Sequence, residues 1–225
     1  MIEEYIFEKN NNTTRHFRFG NIPVIETDPV PDNIDVYSIF KSVEKNLPNH
    51  YFNGVESVVI SHLPEFDERE VNAVYRDNKF YISNQQDNGN DLLDDIIHEF
   101  AHHLETQHPE LIYEDRKLIE EFRKKRGQLK FELQSEGYWV NEFDFNELKF
   151  DQSFDIFLYK RVGDNMLRLV TTGIFIRPYA ATSLREYFAT GFEAYYLGKR
   201  DELSKISPYL FQKIEQLHNL EKHRK

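Results

Sequence analysis

Hydrophobic positions along this chain follow two rhythms. Before about residue 85 they come in short β-prone runs, at Tyr5–Phe7, His16–Phe19 and Ile22–Ile25, and then in Val55–Ser61, where β-branched side chains crowd together as in a buried strand. Ala73–Tyr75 and Phe80–Ser83 flank the polar quartet Arg76-Asp77-Asn78-Lys79 and predict a hairpin. A short helix near Val36–Lys45 interrupts the strands. Beyond residue 90 the spacing turns helical. Leu93, Ile97, Phe100 and Leu104, with Leu92, Ile96 and Ala101 beside them, describe one long amphipathic helix. Asn90 or Asp91 can cap its start after Asp87-Asn88-Gly89, and Pro109 marks its end.

A charged helix is expected after Pro109, with Leu111, Leu118, Ile119 and Phe122 on its apolar side. The run Arg123-Lys124-Lys125-Arg126 reads as a solvated face of that helix. Trp139–Phe150 is aromatic and acidic with little period. Phe154, Phe157, Leu158 and Val162 fit a helix, while Phe154, Ile156 and Leu158 also alternate, so both readings stay open. Leu167–Ile176 reads as extended. Leu184–Leu197, stopped by Gly198, and a helix opening at Ser207-Pro208 with Leu210, Ile214 and Leu217 on one face close the chain. The pattern predicts an α+β fold, a small twisted mixed sheet packed on a long helix and followed by a mainly helical C-terminal half, in a single domain over 1–225.

Composition narrows the function. The chain has 225 residues, with 28 basic and 39 acidic side chains and a net charge of −11. A field of that sign repels phosphate backbones and anionic headgroups, so nucleic acid is not an expected partner. No stretch reaches eighteen apolar residues and the first twelve lack a leader pattern, so neither membrane insertion nor export is expected. There is no cysteine, which removes disulfides, thiolate metal sites and a thiol nucleophile together. These features predict a soluble, cytoplasmic protein.

One pentapeptide speaks to chemistry. His98-Glu99-Phe100-Ala101-His102 is an HExxH sequence inside the long helix. Two histidines four residues apart lie about 40° apart around a helix axis and about 6 Å along it, so both imidazoles can reach one Zn²⁺ ion. The glutamate between them is suited to take a proton from a water beside the metal. The alternative is a surface helix with two solvated histidines. A catalytic zinc site needs a third protein ligand, and without cysteine it must be His, Asp or Glu. Glu186, which opens the aromatic helix Leu184–Leu197, is the best candidate, with Glu193, seven residues on and on the same face, as second choice. Glu186 can also be read as the closing member of a Ser183-x-x-Glu186 capping box, and Glu193 as an outer carboxylate orienting a ligand imidazole. His50, His62, His103, His108, His218 and His223 are expected to be non-ligands, with His103 solvated or paired with Glu105.

His98-Glu99-Phe100-Ala101-His102-His103-Leu104-Glu105, Pro178-Tyr179-Ala180-Ala181-Thr182 and Glu186-Tyr187-Phe188-Ala189 together resemble the zinc metallopeptidases of the Mlc titration factor A family. Relatives of that family include the anthrax lethal factor catalytic domain and the secreted Pro-Pro endopeptidases. The resemblance implies a zincin-like fold of the glutamate-ligand type. It implies one zinc per chain held by His98, His102 and Glu186, Glu99 as general base, and Tyr179, seven residues before Glu186, as a group that assists catalysis. Glu193 matches a further family glutamate. The 84 positions from His102 to Glu186 exceed the expected separation, so about 113–176 reads as an insertion. The expected activity is hydrolysis of a peptide or protein substrate laid antiparallel to a sheet edge, at Ala73–Tyr75 or Phe80–Ser83. The rival readings are a non-catalytic, zinc-stabilised protein-binding module and a regulatory protease specific for one partner protein.

Overall fold

The computed structural model describes residues 15–69 and 71–220; the run Tyr5–Phe7 and His223 fall outside them. The fold is mixed α+β. It divides into two compact units, one ending at Leu104 and the other beginning at Glu105.

Among the described residues the first unit holds a five-stranded mixed sheet, β1 (Arg15–Phe19), β2 (Ile22–Glu26), β3 (Ser57–Ser61), β4 (Ala73–Arg76) and β5 (Lys79–Ser83), in the order β1-β2-β3-β5-β4. Its three inner strands run parallel and the two outer ones antiparallel to their neighbours. Val24, Val58, Ile60, Phe80 and Ile82 are fully buried on one face of the sheet and Val59 and Tyr81 are buried on the other, as inner parallel strands covered on both faces require. The β4–β5 hairpin closes through Asp77 and Asn78 at φ 51° and 60°, left-handed values that suit a two-residue turn and that Asp and Asn tolerate. Because β5 lies between β3 and β4, its residues Phe80–Ser83 cannot form a sheet edge; β4 does.

Helix α1 (Val36–Asn46) starts where Asp35 Oδ1 accepts from Ser38 N at 3.0 Å, and its buried Phe40 meets Phe17 and Phe19 edge-on. Short α2 (Pro64–Arg69) contributes Phe66 to a cluster on the opposite face of the sheet with Val59, Leu63 and Tyr81. Helix α3 (Gly89–Gln107) begins two to three residues earlier than a cap at Asn90 or Asp91 predicts. Its cap is Asn88, whose Oδ1 accepts from Asn90 N at 2.8 Å and Asp91 N at 3.2 Å. Phe100 is its anchor, 4.8 Å from the Phe80 ring, 5.2 Å from Phe52 and 6.1 Å from Phe19, centroid to centroid. Rings at these separations and angles stabilise beyond their buried area by about 0.5–1.5 kcal/mol a pair.

The second unit is helical. After α4 (Pro109–Tyr113) the charged segment breaks at Arg116, held at φ 60°, before α5 (Lys117–Ser135). Asp151 caps α6 (Gln152–Ile156), which runs into a π-helical turn over Phe157–Val162, so the helical reading of Phe154, Phe157, Leu158 and Val162 holds. The extended reading of Leu167–Ile176 does not. Asp164–Thr171 is helix α7, with Leu167, Val170 and Thr171 buried at i, i+3, i+4 spacing. A 3₁₀ turn at Pro178–Ala181 precedes α8 (Leu184–Tyr196), α9 (Arg200–Ile206) and α10 (Pro208–His218). Helices α8 and α10 pack backbone to side chain: a Cβ on Gly191 would stand 2.2 Å from Leu210 Cδ2.

The basic run on α5 is solvated only in its first half: Lys124 is exposed and Arg123 half-buried, but Lys125 and Arg126 turn inward. Arg126 is 2% exposed, donating through Nη1 to Ala181 O at 2.7 Å and through Nη2 to Asp144 O at 3.2 Å, with its guanidinium 4.0 Å over the Phe154 ring. Burial lowers its pKa to about 10 against the opposing pull of Asp144, Asp151 and Glu147. Lys125 donates to Ile174 O at 2.5 Å and Ile206 O at 2.6 Å. On the same helix Glu121 accepts from Tyr187 Oη at 2.8 Å and from Tyr209 N and Leu210 N, both at 3.0 Å, which caps the start of α10. Charge alone places such a run in water; carbonyls left over at helix ends and turns are what draw it inward.

Lys125 yields a test. Burial brings its pKa down to about 8 from the ordinary 10.5. Between those values the unfolded chain keeps a proton that the folded chain has released, so the contribution of Lys125 to stability rises with pH. Urea titrations should show the wild type gaining on Lys125→Met from pH 7.5 to 10.5, by no more than about 3 kcal/mol. A difference that stays flat, or falls, would show that the amine is not buried in its charged form.

Candidate metal centre

Helix α3 presents different faces to different tasks. At 100° per residue, Ile96, Phe100 and His103 fall on one side and His98 and His102 on the opposite one. The first side is fixed by packing, as all three residues are fully buried. The second side is therefore aimed away from the core. His98 and His102 stand with ring centroids 4.7 Å apart and planes at 83°. One ligand atom each from His98, Glu99 and His102 lies within 4.8 Å of the other two. Glu99 is 3% and His102 6% exposed, and His98 is half-buried. The group could hold a metal ion, and the two imidazole nitrogens are donors of a kind that Zn²⁺ accepts, with the Glu99 carboxylate close beside them.

His103 is not solvated, nor is it turned to Glu105. Its Nε2 lies 2.9 Å from the Asn53 carbonyl oxygen, which can only accept, so Nε2 carries a proton. Its Nδ1 stands 3.1 Å from the Tyr75 hydroxyl on β4, and the ring meets Tyr75 edge-on. The imidazole thus ties α3 to the β4–β5 hairpin and to the loop before β3. The neighbouring residue in an HExxH helix is a natural place to look for a ligand, but this one is occupied as a strut.

Tyr179 and Glu186 belong to the second unit. Tyr179 is half-buried in the 3₁₀ turn, where its carbonyl accepts from Thr182 N at 3.1 Å and Thr182 Oγ1 at 2.9 Å. Glu186 is half-buried in the first turn of α8. Ser183 Oγ accepts from Glu186 N at 3.1 Å, so the capping role read for Ser183 is realised. Thr190 Oγ1 donates back to Glu186 O at 2.8 Å. Glu193, 3% exposed, lies 2.7 Å from Arg177 Nη1, so its carboxylate is engaged by a guanidinium. Arg177 directly precedes the Pro178–Ala181 turn, and the pair fastens that turn to the middle of α8. Nothing in the local sequence marks Arg177 as a partner of Glu193, which lies sixteen positions later. Glu105 is a further group that local pattern does not single out; its carboxylate is bound by the Tyr113 hydroxyl and lies 3.4 Å from Arg185 Nε.

Among the described residues no helix is long and apolar enough to cross a membrane. No protein-family model, curated protein or solved structure matches the chain.

The strut role of His103 predicts a stability loss. His103→Leu keeps the volume but strips the partner from Asn53 O and one partner from Tyr75, which should cost about 1–3 kcal/mol in urea denaturation at neutral pH. A solvated histidine would make the change nearly silent, and a loss below about 0.5 kcal/mol would exclude the strut.

Proposed function

We propose that this chain is a zinc-dependent peptidase of the HExxH type, resembling the metallopeptidases of the Mlc titration factor A family. The observation that carries the reading is the convergence of His98, Glu99 and His102 on one volume, with their ligand atoms within 4.8 Å of one another, on a helix whose opposite side is locked into the core. The sequence supplies Glu186 as the third ligand. Zinc, when bound there, supplies Lewis acidity and a water of lowered pKa, toward ~7.

The chain's own residues do the rest. His98 and His102 offer imidazole nitrogens from adjacent turns of a rigid helix, so binding requires little reordering. Glu99, nearly buried, accepts a proton from the attacking water and passes it to the leaving amine nitrogen as the C–N bond breaks. Tyr179 donates a hydrogen bond to the oxyanion that develops on the scissile carbonyl. The substrate is a peptide or a protein segment, held extended and antiparallel beside β4, the strand at that end of the sheet.

Metal analysis tests the first link. The purified chain should hold about one zinc, and His98→Ala or His102→Ala should each abolish it. Glu99→Gln keeps the shape and loses the base, so zinc should stay while cleavage of a mixed peptide library drops by about 100-fold or more. No metal in the wild type after zinc supplementation would sink the assignment, and full turnover by Glu99→Gln would sink the mechanism.

Tyr179 separates transition-state stabilisation from packing. Tyr179→Phe should lower kcat by about 10²–10³-fold with KM and zinc content almost unchanged, because the hydroxyl acts where charge develops. If Tyr179→Phe is silent and only Tyr179→Ala is impaired, through lost stability, the residue is structural.

A further inference from the structure

Glu105 follows His102 by three residues in α3, within one helical turn of it. Its carboxylate is only 16% exposed and is gripped from two directions. Arg185 Nε stands 3.4 Å from Oε2, and the Tyr113 hydroxyl donates to Oε1. Burial first, and the Glu105 charge second, push the Tyr113 phenol far above its ordinary range, which keeps it a donor at physiological pH.

Arg185 is the residue immediately before Glu186, in the first turn of α8. Its side chain is 49% exposed, so it is not there to fill a core. Other bonds hold this turn by its backbone or from its far side. Ser183 Oγ takes Glu186 N, Leu184 N donates to Leu148 O at 2.9 Å, and Tyr187 reaches Glu121. The Arg185–Glu105 contact does something different, because it holds this turn through a side chain, to the residue at which the second unit begins.

We propose that Glu105 is a positioning residue for Glu186: through Arg185 it fixes the first turn of α8 so that the Glu186 carboxylate is pre-oriented for a metal. The inference rests on the reading of Glu186 as the third zinc ligand. A ligand carboxylate that is free to swing must be ordered when the ion binds, and outer groups that hold ligands in place affect affinity by about 10–100-fold. Arg185 acts through the backbone of the adjacent residue, so the lower end of that range is expected.

A thermodynamic cycle on the full chain tests it. Zinc affinity is measured by competition with a chromogenic chelator for the wild type, Arg185→Gln, Glu105→Gln, Glu186→Ala and the double variant Arg185→Gln/Glu186→Ala. Arg185→Gln and Glu105→Gln should each weaken zinc about 10-fold when Glu186 is present. In the Glu186→Ala background Arg185→Gln should change affinity by less than about 2-fold, because the group it positions is gone. A loss of the same size in both backgrounds, as general loosening of the fold would produce, overturns the inference, and so does no loss in either. Those results leave the ligand assignment standing if Glu186→Ala alone weakens zinc. Glu186→Ala with wild-type affinity would instead remove the assignment and the inference together.

Discussion

A buried guanidinium is the constraint around which the second unit is arranged. Arg126 could be desolvated only if partners came to it, and they come from far along the chain: the carbonyls of Asp144 and Ala181, and the ring of Phe154. Each belongs to a stretch without regular structure of its own or to a short helix. Removing the cation would leave those carbonyls stranded, and a buried acceptor left without its donor costs about 1–3 kcal/mol. Lys125 and Glu121 repeat the arrangement one position and five positions earlier on the same helix, binding the turn after α7, the end of α9 and the start of α10. The segment over 113–176 is therefore built into the support of α8, since Leu148 and Arg126 hold the chain just before Glu186.

The first unit solves a different problem. A cluster of polar ligand-type groups has to stay apart from the apolar core and yet be held in a fixed direction, and α3 does this by rotation alone. Phe100 and His103 fix the angle of the helix against aromatic rings and the hairpin, and the histidines at 98 and 102 follow from 3.6 residues per turn. Phe100 sits inside the HExxH pentapeptide, so one five-residue stretch carries both the core anchor and the His98–Glu99–His102 cluster.

Most elements of both units were legible as pattern. The strands at His16–Phe19 and Ile22–Ile25, the Asp77-Asn78 hairpin and the helices at Val36, Leu184 and Pro208 all follow from local spacing and turn chemistry, and so does the convergence of His98, Glu99 and His102. The failures share one cause. Arg126, Lys125 and His103 look solvated by residue type, and only partners tens of residues away reverse that. Leu167–Ile176 reads as extended because branched and apolar residues crowd there, yet its buried positions sit at helical spacing once α5 supplies a surface to pack on. The Glu193–Arg177 and Glu105–Arg185 pairs were illegible for the same reason: a carboxylate names its charge but not its partner.

The contact between Gly191 and Leu210 bears on how chains of this shape can diverge. Helices α8 and α10 meet so closely there that a single methyl group on one requires the other side chain to retreat, and Leu210 is itself 1% exposed with nowhere to go. Drift at either site is therefore conditional on the other: a larger residue at 191 becomes tolerable once 210 has become Ala or Gly, and not before. The two positions form a compensating pair nineteen residues apart. That pair is a signature of the helical packing itself and does not depend on what His98 and His102 do.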